Sequence, residues 1–432
     1  MKRSKSKLEM SSSAQIVQLS EDDIWLASAS FVGTVLSKAG ESAAAESFLN
    51  SISEAYASEN LSQVLDLFIS KLDTVYANTD SDQDLEGFTN TCSHLPVRCE
   101  DAHAAAQALA AALSADPTNK PERRLQGLIN LYNTVLEPAT KLAILLSIMA
   151  FAKASSLADI MLNVVKTNID SWVSTLKLDS AEQRTLYVAC ADSLQSCTRK
   201  PRTAARESYR LRSKAIKTYK GGDIDAAGLD VACTVVKEYL VSTDLFQFDA
   251  ADIPAVQALG TGSAEQKALL ALLKLFLSGT VKEFRGFMGG ADGKAVLAAL
   301  PRCPEEHLLS KMTLMALVGL VNRRSSVSFK EIADTLDMTS YSDVEDLIVQ
   351  AIGKKLIEAK IDQLAEEVVI SKCSSRTFER VEWEGLAADL EQWQGAIRDV
   401  LNLGTDPKGA LFHGLESLNG SRAAADKGIQ AS

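Results

Sequence analysis

The sequence predicts a mostly helical protein: a helical-repeat (α-solenoid) array followed by a winged helix and a C-terminal helix. Three observations lead there. From about Ser20 to Leu300, apolar residues recur at helical spacing in stretches separated by short breaks. Between Leu308 and Ser371 the periodicity changes to helix, short strand, helix, helix, strand, strand. From Trp383 to Leu401 one long stretch returns to helical period.

The breaks in the first region fall near Gly40, Glu59-Asn60, Asn78 to Asp84, Asp116 to Pro121, Glu137-Pro138, Asp179, Lys200-Pro201, Gly221-Gly222, Pro254 and Gly260 to Ser263. Two carry explicit helix-start chemistry. Asp179 stands three residues before Glu182, and Ser263 three before Gln266, the spacing at which two side chains cap each other's backbone N–H. No strict repeat period is visible, but successive helical pairs are what a degenerate solenoid looks like. The most apolar run, Leu142 to Ala152, is closed by Lys141 and Lys153 and is too short to span a bilayer, which needs roughly 20 residues. It reads as a buried core helix. Ala264 to Leu277 is apolar nearly all round and must also be covered on most sides. A Gly-rich turn, GGADG, follows between two shorter helices.

In the second region Leu308 to Val321 is helical and Ser326 to Ser328 a short strand. Phe329, Ile332, Ala333 and Leu336 share one helix face; Val344, Leu347, Ile348, Ala351, Ile352 and Leu356 share the next. Alternating segments through Ile357, Ala359, Ile361 and then Val368, Ile370 make a hairpin around the polar turn Gln363 to Glu366. The expected domains are a flexible extension (1–19), the array (20–300), the winged helix (301–380), the C-terminal helix (381–403) and a tail (404–432) too poor in apolar residues to fold.

Composition limits the function. The 432 residues carry a net charge of -11, the wrong sign for a molecule steered as a whole to nucleic acid. Seven cysteines without framework spacing read as reduced thiols, and the basic leader MKRSKSKLEM has no apolar stretch after it, so a cytoplasmic protein is expected. Enzyme signatures fail one by one. Asp80, Asp82 and Asp84 open like a calcium loop but lack its glycine and its closing glutamate, replaced by Leu85 and Thr91. Gly289 to Lys294 resembles a phosphate loop by composition only, with Ala295 where the hydroxyl should be. Cys92, His94, Cys99 and His103 are zinc-ligand types at no zinc-site spacing. No catalytic residue, metal, cofactor or small-molecule substrate is implied.

The stretch from Ile357 to Trp393 contains Lys360-Ile361-Asp362-Gln363, Val368-Val369-Ile370-Ser371 and Arg376-Thr377-Phe378 ahead of the tryptophan-bearing helix. It resembles the PCI family, whose subunits build the proteasome lid, the signalosome and initiation factor 3. Weaker likeness runs through Pro121 to Asn133 and Asp170 to Leu178. Within the family the M-type subunits of translation initiation factor 3 are most similar, and subunit 7 of the signalosome is next. The resemblance implies a non-catalytic scaffold, joined side by side to other PCI subunits through winged helices and terminal helices, and working at the small ribosomal subunit.

Two sets of candidate contact residues follow. The first is Val368, Val369 and Ile370 of the hairpin, offered as a free edge for strand pairing, with Trp383, Leu386, Leu390, Trp393 and Ile397 of the last helix. Duplex DNA is disfavoured there, because Asp343, Glu345 and Asp346 occupy the start of the would-be recognition helix. The second set lies in Arg199 to Lys220, where nine Lys/Arg meet one acid, Glu207, leaving -19 on the rest of the chain. Arg202, Arg206, Arg210, Lys214 and Lys217 form a stripe there, with Ala205, Tyr209, Ile216 and Tyr219 expected on the buried side. The stripe is either a solvated face or a contact for ribosomal RNA or an acidic partner.

Overall fold

The computed structural model describes residues 23–405 apart from 221–223, 249, 302, 323, 339 and 377–379. The expected extension (1–19) and residues 406–432 of the expected tail lie outside the described residues. The chain divides into two compact units. The first holds residues up to Ser242 with Ala250–Leu273 and Met288–Pro304; the second holds Thr243–Asp249, Lys274–Phe287 and everything from Glu305 on.

The first unit begins with α1 (Asp23–Lys38), α2 (Ser42–Ala57), α3 (Leu61–Asn78), α4 (Asp82–His94), α5 (Ala102–Ser114) and α6 (Pro121–Thr134). It continues through α7 (Pro138–Ala154), α8 (Ala158–Leu176), α9 (Ser180–Leu194), α10 (Pro201–Lys217), α11 (Ala226–Val241) and the single turn α12 (Pro254–Gln257). Of the next three, α13 (Ala264–Ser278) is divided between the units, α14 (Val281–Met288) belongs, but for Met288, to the second, and α15 (Ala291–Ala299) is the last helix of the first. The starts follow local chemistry. Asn60, Ser81, Asp101 and Asp225 each accept a backbone N–H from the first turn of the helix they precede. Prolines open α6, α7, α10 and α12, where no N–H is missed. The boxes expected at Asp179/Glu182 and Ser263/Gln266 both form.

Odd-numbered helices pack each on the next but one, from α1 through α3, α5 and α7 to α9, while α4 packs on α6 in a second layer. This is the two-layer stack of a solenoid, in which each amphipathic helix buries its stripe between neighbours. α7 sits amid α5, α6, α8 and α9, which explains why its sequence is apolar on every side. The expected GGADG turn is shorter than the sequence suggested, since α15 begins at Ala291 and takes up Asp292 and Gly293. A Cβ on Gly293 would stand 2.4 Å from the Met288 carbonyl oxygen, so only glycine fits.

Arg124 of α6 ties four segments together. Its side chain is fully buried; it donates to the carbonyls of Ala112 and Leu113 at the end of α5, to that of Asn119, and to Asp73 of α3 at 2.6 Å. The guanidinium also lies 4.5 Å from the Tyr76 ring centroid. A cation is favourable at a helix C-terminus, where orphan carbonyls sum to partial negative charge.

The second unit contains α16 (Glu305–Val321), β1 (Ser326–Ser328), α17 (Phe329–Leu336), α18 (Tyr341–Gly353), β2 (Ile357–Asp362), β3 (Glu367–Cys373) and α19 (Arg380–Thr405). The fold class is the one the sequence predicts, mostly helical with a small winged-helix sheet. α19 runs two residues beyond the expected end at residue 403. Val327, Phe329, Ile332, Leu336, Val344, Leu347, Ile348, Ala351 and Val368 form the unit's core. Arg376, just after β3, donates to the carbonyls of Leu275, Phe276 and Gly279 and so caps the end of α13. Among the described residues no helix is long and apolar enough to cross a membrane.

Arg124→Ala should strand three carbonyls and leave a cavity. It is expected to cost about 3 kcal/mol, read as a fall in the urea midpoint of the circular dichroism signal. Arg123→Ala removes exposed ion pairs to Asp82 and Glu86 and should cost under about 1 kcal/mol.

Candidate partner interface

α19 presents the largest exposed apolar feature. Trp383 is 61% exposed, Leu390 53%, Trp393 66% and Ile397 61%, with Leu386, Val400 and Leu401 also exposed. Trp383, Leu386, Leu390, Trp393, Ile397 and Val400 alternate steps of three and four residues. That is the 3.5-residue period of a coiled-coil seam, which keeps one stripe facing a partner helix along its length. The positions flanking the seam are Glu382, Ala387, Asp389, Gln394, Ala396 and Leu401, two acids and four uncharged residues with no base among them. Small flanks such as Ala387 and Ala396 leave room for close approach beside the stripe.

The hairpin differs from the sequence expectation. β3 lies between β1 and β2, so the strand order is β1-β3-β2 and β3 offers no free edge. Val368 faces both Val327 and Ile361, is 1% exposed and belongs to the core. Ile370 is half-buried and its N–H donates to the Ser325 carbonyl; Val369 alone of the three candidates is well exposed. The sheet's open edges are those of β1 and β2. Side-chain alternation identified the strands but carries no information on their order, which is why the edge was misplaced.

Three exposed apolar residues of this unit were not singled out from sequence. Tyr341 and Val349 stand on the outer side of α18, and Leu364 is fully exposed at the hairpin tip. Asp362 accepts the N–H groups of Leu364 and Ala365 and fixes the turn that holds Leu364 out. An apolar residue inside a polar turn was the available signal. Asp343 and Asp346 are exposed on α18, while Lys354 at its far end donates to the Thr243 carbonyl and lies over Phe246. That face repels phosphate at the end that would meet a groove.

The basic helix is only partly free. Arg202, Arg206 and Lys217 are exposed. Arg210 is held by Glu207 at 2.7 Å, and Lys214 by Asp170 of α8 at 2.5 Å. Arg212 turns inward to Asp192 and Glu238. The buried side was also misassigned in part. Ile216 and Tyr219 are buried, but Ala205 is exposed and Tyr209 half-buried. Ala204, Glu207, Ser208, Leu211 and Arg212 line the inward face instead. Burying Glu207 and Arg212 requires partners on α8, α9 and α11, which local periodicity cannot reveal. The zinc-type residues do other work: Cys92 and Cys99 are buried, and His103 Nδ1 lies 2.6 Å from Thr140 Oγ1. Among the described residues no three His, Cys, Asp or Glu are grouped to hold a metal.

The described residues thus form a helical stack, a winged helix and a long terminal helix with an exposed apolar seam. Residues 302–372 match the PCI domain, so the chain carries a PCI domain. It is similar to eukaryotic translation initiation factor 3 subunit M over most of its length. With that subunit of Dictyostelium discoideum it shares 25% identity over 330 residues, 75% of this chain and 79% of the relative. With that of Gallus gallus it shares 26% over 287 residues (66% and 72%), and with that of Phaeosphaeria nodorum 22% over 313 residues (72% and 67%).

Val369→Pro in the central strand should destabilise the winged helix by about 2 kcal/mol or more, because proline cannot donate to the ladder and leaves a carbonyl unpaired. Leu364→Ala should leave stability within about 0.5 kcal/mol. Thermal unfolding followed by circular dichroism distinguishes the two.

Proposed function

We propose that this chain is a non-catalytic scaffold subunit of translation initiation factor 3, holding other PCI subunits and supporting recruitment to the small ribosomal subunit in the cytoplasm. The similarity to subunit M proteins supports membership of that factor. The observation that carries the scaffold role is the seam of α19, six apolar residues at coiled-coil spacing, all exposed. Leaving two tryptophans and four aliphatic side chains in water is unfavourable by about 25 cal/mol per Å² of apolar surface. Covering them with helices of neighbouring subunits recovers that free energy, and the small flanks Ala387 and Ala396 leave room for such a helix to approach closely. Val369, Leu364 and the open edges of β1 and β2 lie in the same unit and provide a second contact through the winged helix.

The test is affinity purification of the tagged full-length chain from cell extract, followed by mass spectrometry. Initiation factor 3 subunits should co-purify with the wild type. Leu390→Asp with Ile397→Asp should weaken that association about thirty-fold or more, the effect of removing central interface anchors. The unfolding midpoint should not change, because both side chains already stand in solvent. Recovery of signalosome subunits instead, or full assembly by the double variant, would overturn the reading.

A further inference from the structure

The basic helix gains meaning from its neighbour. α8 and α10 lie side by side: Asp159, near the start of α8, accepts the N–H of Arg199 and the hydroxyl of Thr198 just before α10. Further along, Lys166 of α8 lies 3.8 Å from Glu207, and Asp170 pairs with Lys214. The acids of α8 therefore meet α10 at its two ends, and a cation meets it in the middle. Glu207, the one acid of α10, has a side chain only 11% exposed. It pairs with Arg210 at 2.7 Å and Lys166 at 3.8 Å, which remain 38% and 56% exposed. Arg202 and Arg206 stand beside them, exposed and without an ion pair to a described residue. Solvent thus meets Arg202, Arg206, Arg210 and Lys166, with the compensating carboxylate recessed.

We propose that this surface, the first half of α10 with Lys166 of α8 beside it, docks the phosphate backbone of double-helical RNA. Three of the four cations are arginines, whose planar forks match phosphate oxygens in pairs. From Arg202 to Arg210 the row extends about 12 Å at 1.5 Å per residue, long enough to follow several phosphates. Neither α8 nor α10 presents a large exposed apolar side chain, which a protein partner would use as an anchor. Neither offers an exposed aromatic ring on which unpaired bases could stack, which argues against a single strand. What remains is recognition of backbone and shape, the mode by which duplex RNA is bound. The net charge of -11 keeps binding local and salt-sensitive. This role goes beyond that of a scaffold and involves none of the seam residues.

The experiment measures fluorescence anisotropy of a labelled RNA duplex of about 20 base pairs and arbitrary sequence, against the full-length chain, from about 50 to 200 mM salt. A single strand of the same length and a poly-glutamate peptide serve as competitors. Arg202→Glu with Arg206→Glu should weaken duplex binding at least ten-fold at low salt and flatten the salt slope by roughly 0.9 for each phosphate no longer neutralised. Arg202→Gln with Arg206→Gln should fall between that variant and the wild type, showing that charge rather than folding is responsible. Lys282→Glu with Lys294→Glu, two exposed lysines of α14 and α15, changes the net charge equally and should leave binding unchanged. The proposal fails if duplex affinity and slope are the same in the arginine variants, or if the lysine variant loses as much. It fails equally if the single strand or poly-glutamate competes better than duplex RNA.

Discussion

No amphipathic helix can bury its own apolar stripe, and the whole chain is arranged around that constraint. In the first unit the answer is stacking: odd-numbered helices lie on one another from α1 to α9, and a second layer covers them. α7, apolar on every side, is the limiting case, and it occupies the place with neighbours all round. In the second unit α16, α17 and α18 cover a three-stranded sheet. α19 departs from the pattern, carrying a stripe as regular as the others that stays exposed. Among the described residues α19 is therefore the helix on which that constraint is left most plainly unmet.

Stacking leaves helix ends inside the structure, and their carbonyls need donors. Two arginines supply them, Arg124 fully buried and Arg376 half-buried. Arg124 closes the end of α5 and Arg376 the end of α13, each with three carbonyl contacts. A guanidinium suits this work because it carries five donors in one plane and remains charged when desolvated. Both residues fall in the stretches by which the sequence resembles PCI proteins, Pro121 to Asn133 and Arg376-Thr377-Phe378. The resemblance therefore rests partly on structural ties that give no information about chemistry or partners.

Periodicity and capping made most elements legible. The winged helix could be placed strand by strand because Val327, Phe329, Ile332, Leu336, Val344 and Ile348 recur at the spacing of one shared core. Asp179 and Ser263 marked helix starts because capping chemistry is local. What could not be read depends on residues distant in the chain. The order of three strands is set by packing, so Val368 passed for an edge residue when it is central. Lys214 and Asp170 are 44 residues apart, and Lys166 joins the arginines of α10 only because α8 lies alongside. Ala205, expected on the buried side, is exposed, while Glu207 is buried: burial of a charge follows from the partner it finds, not from its neighbours in sequence.

Docking of the α19 seam as proposed would also tie the chain's abundance to that of its partners. A copy made in excess keeps two tryptophans and a row of aliphatic side chains in water, a patch of the kind that drives unspecific association. A copy docked through the seam would have no such patch. Quality control that recognises exposed apolar surface would therefore clear surplus copies and spare assembled ones, so that stoichiometry is enforced by degradation and matched synthesis becomes unnecessary.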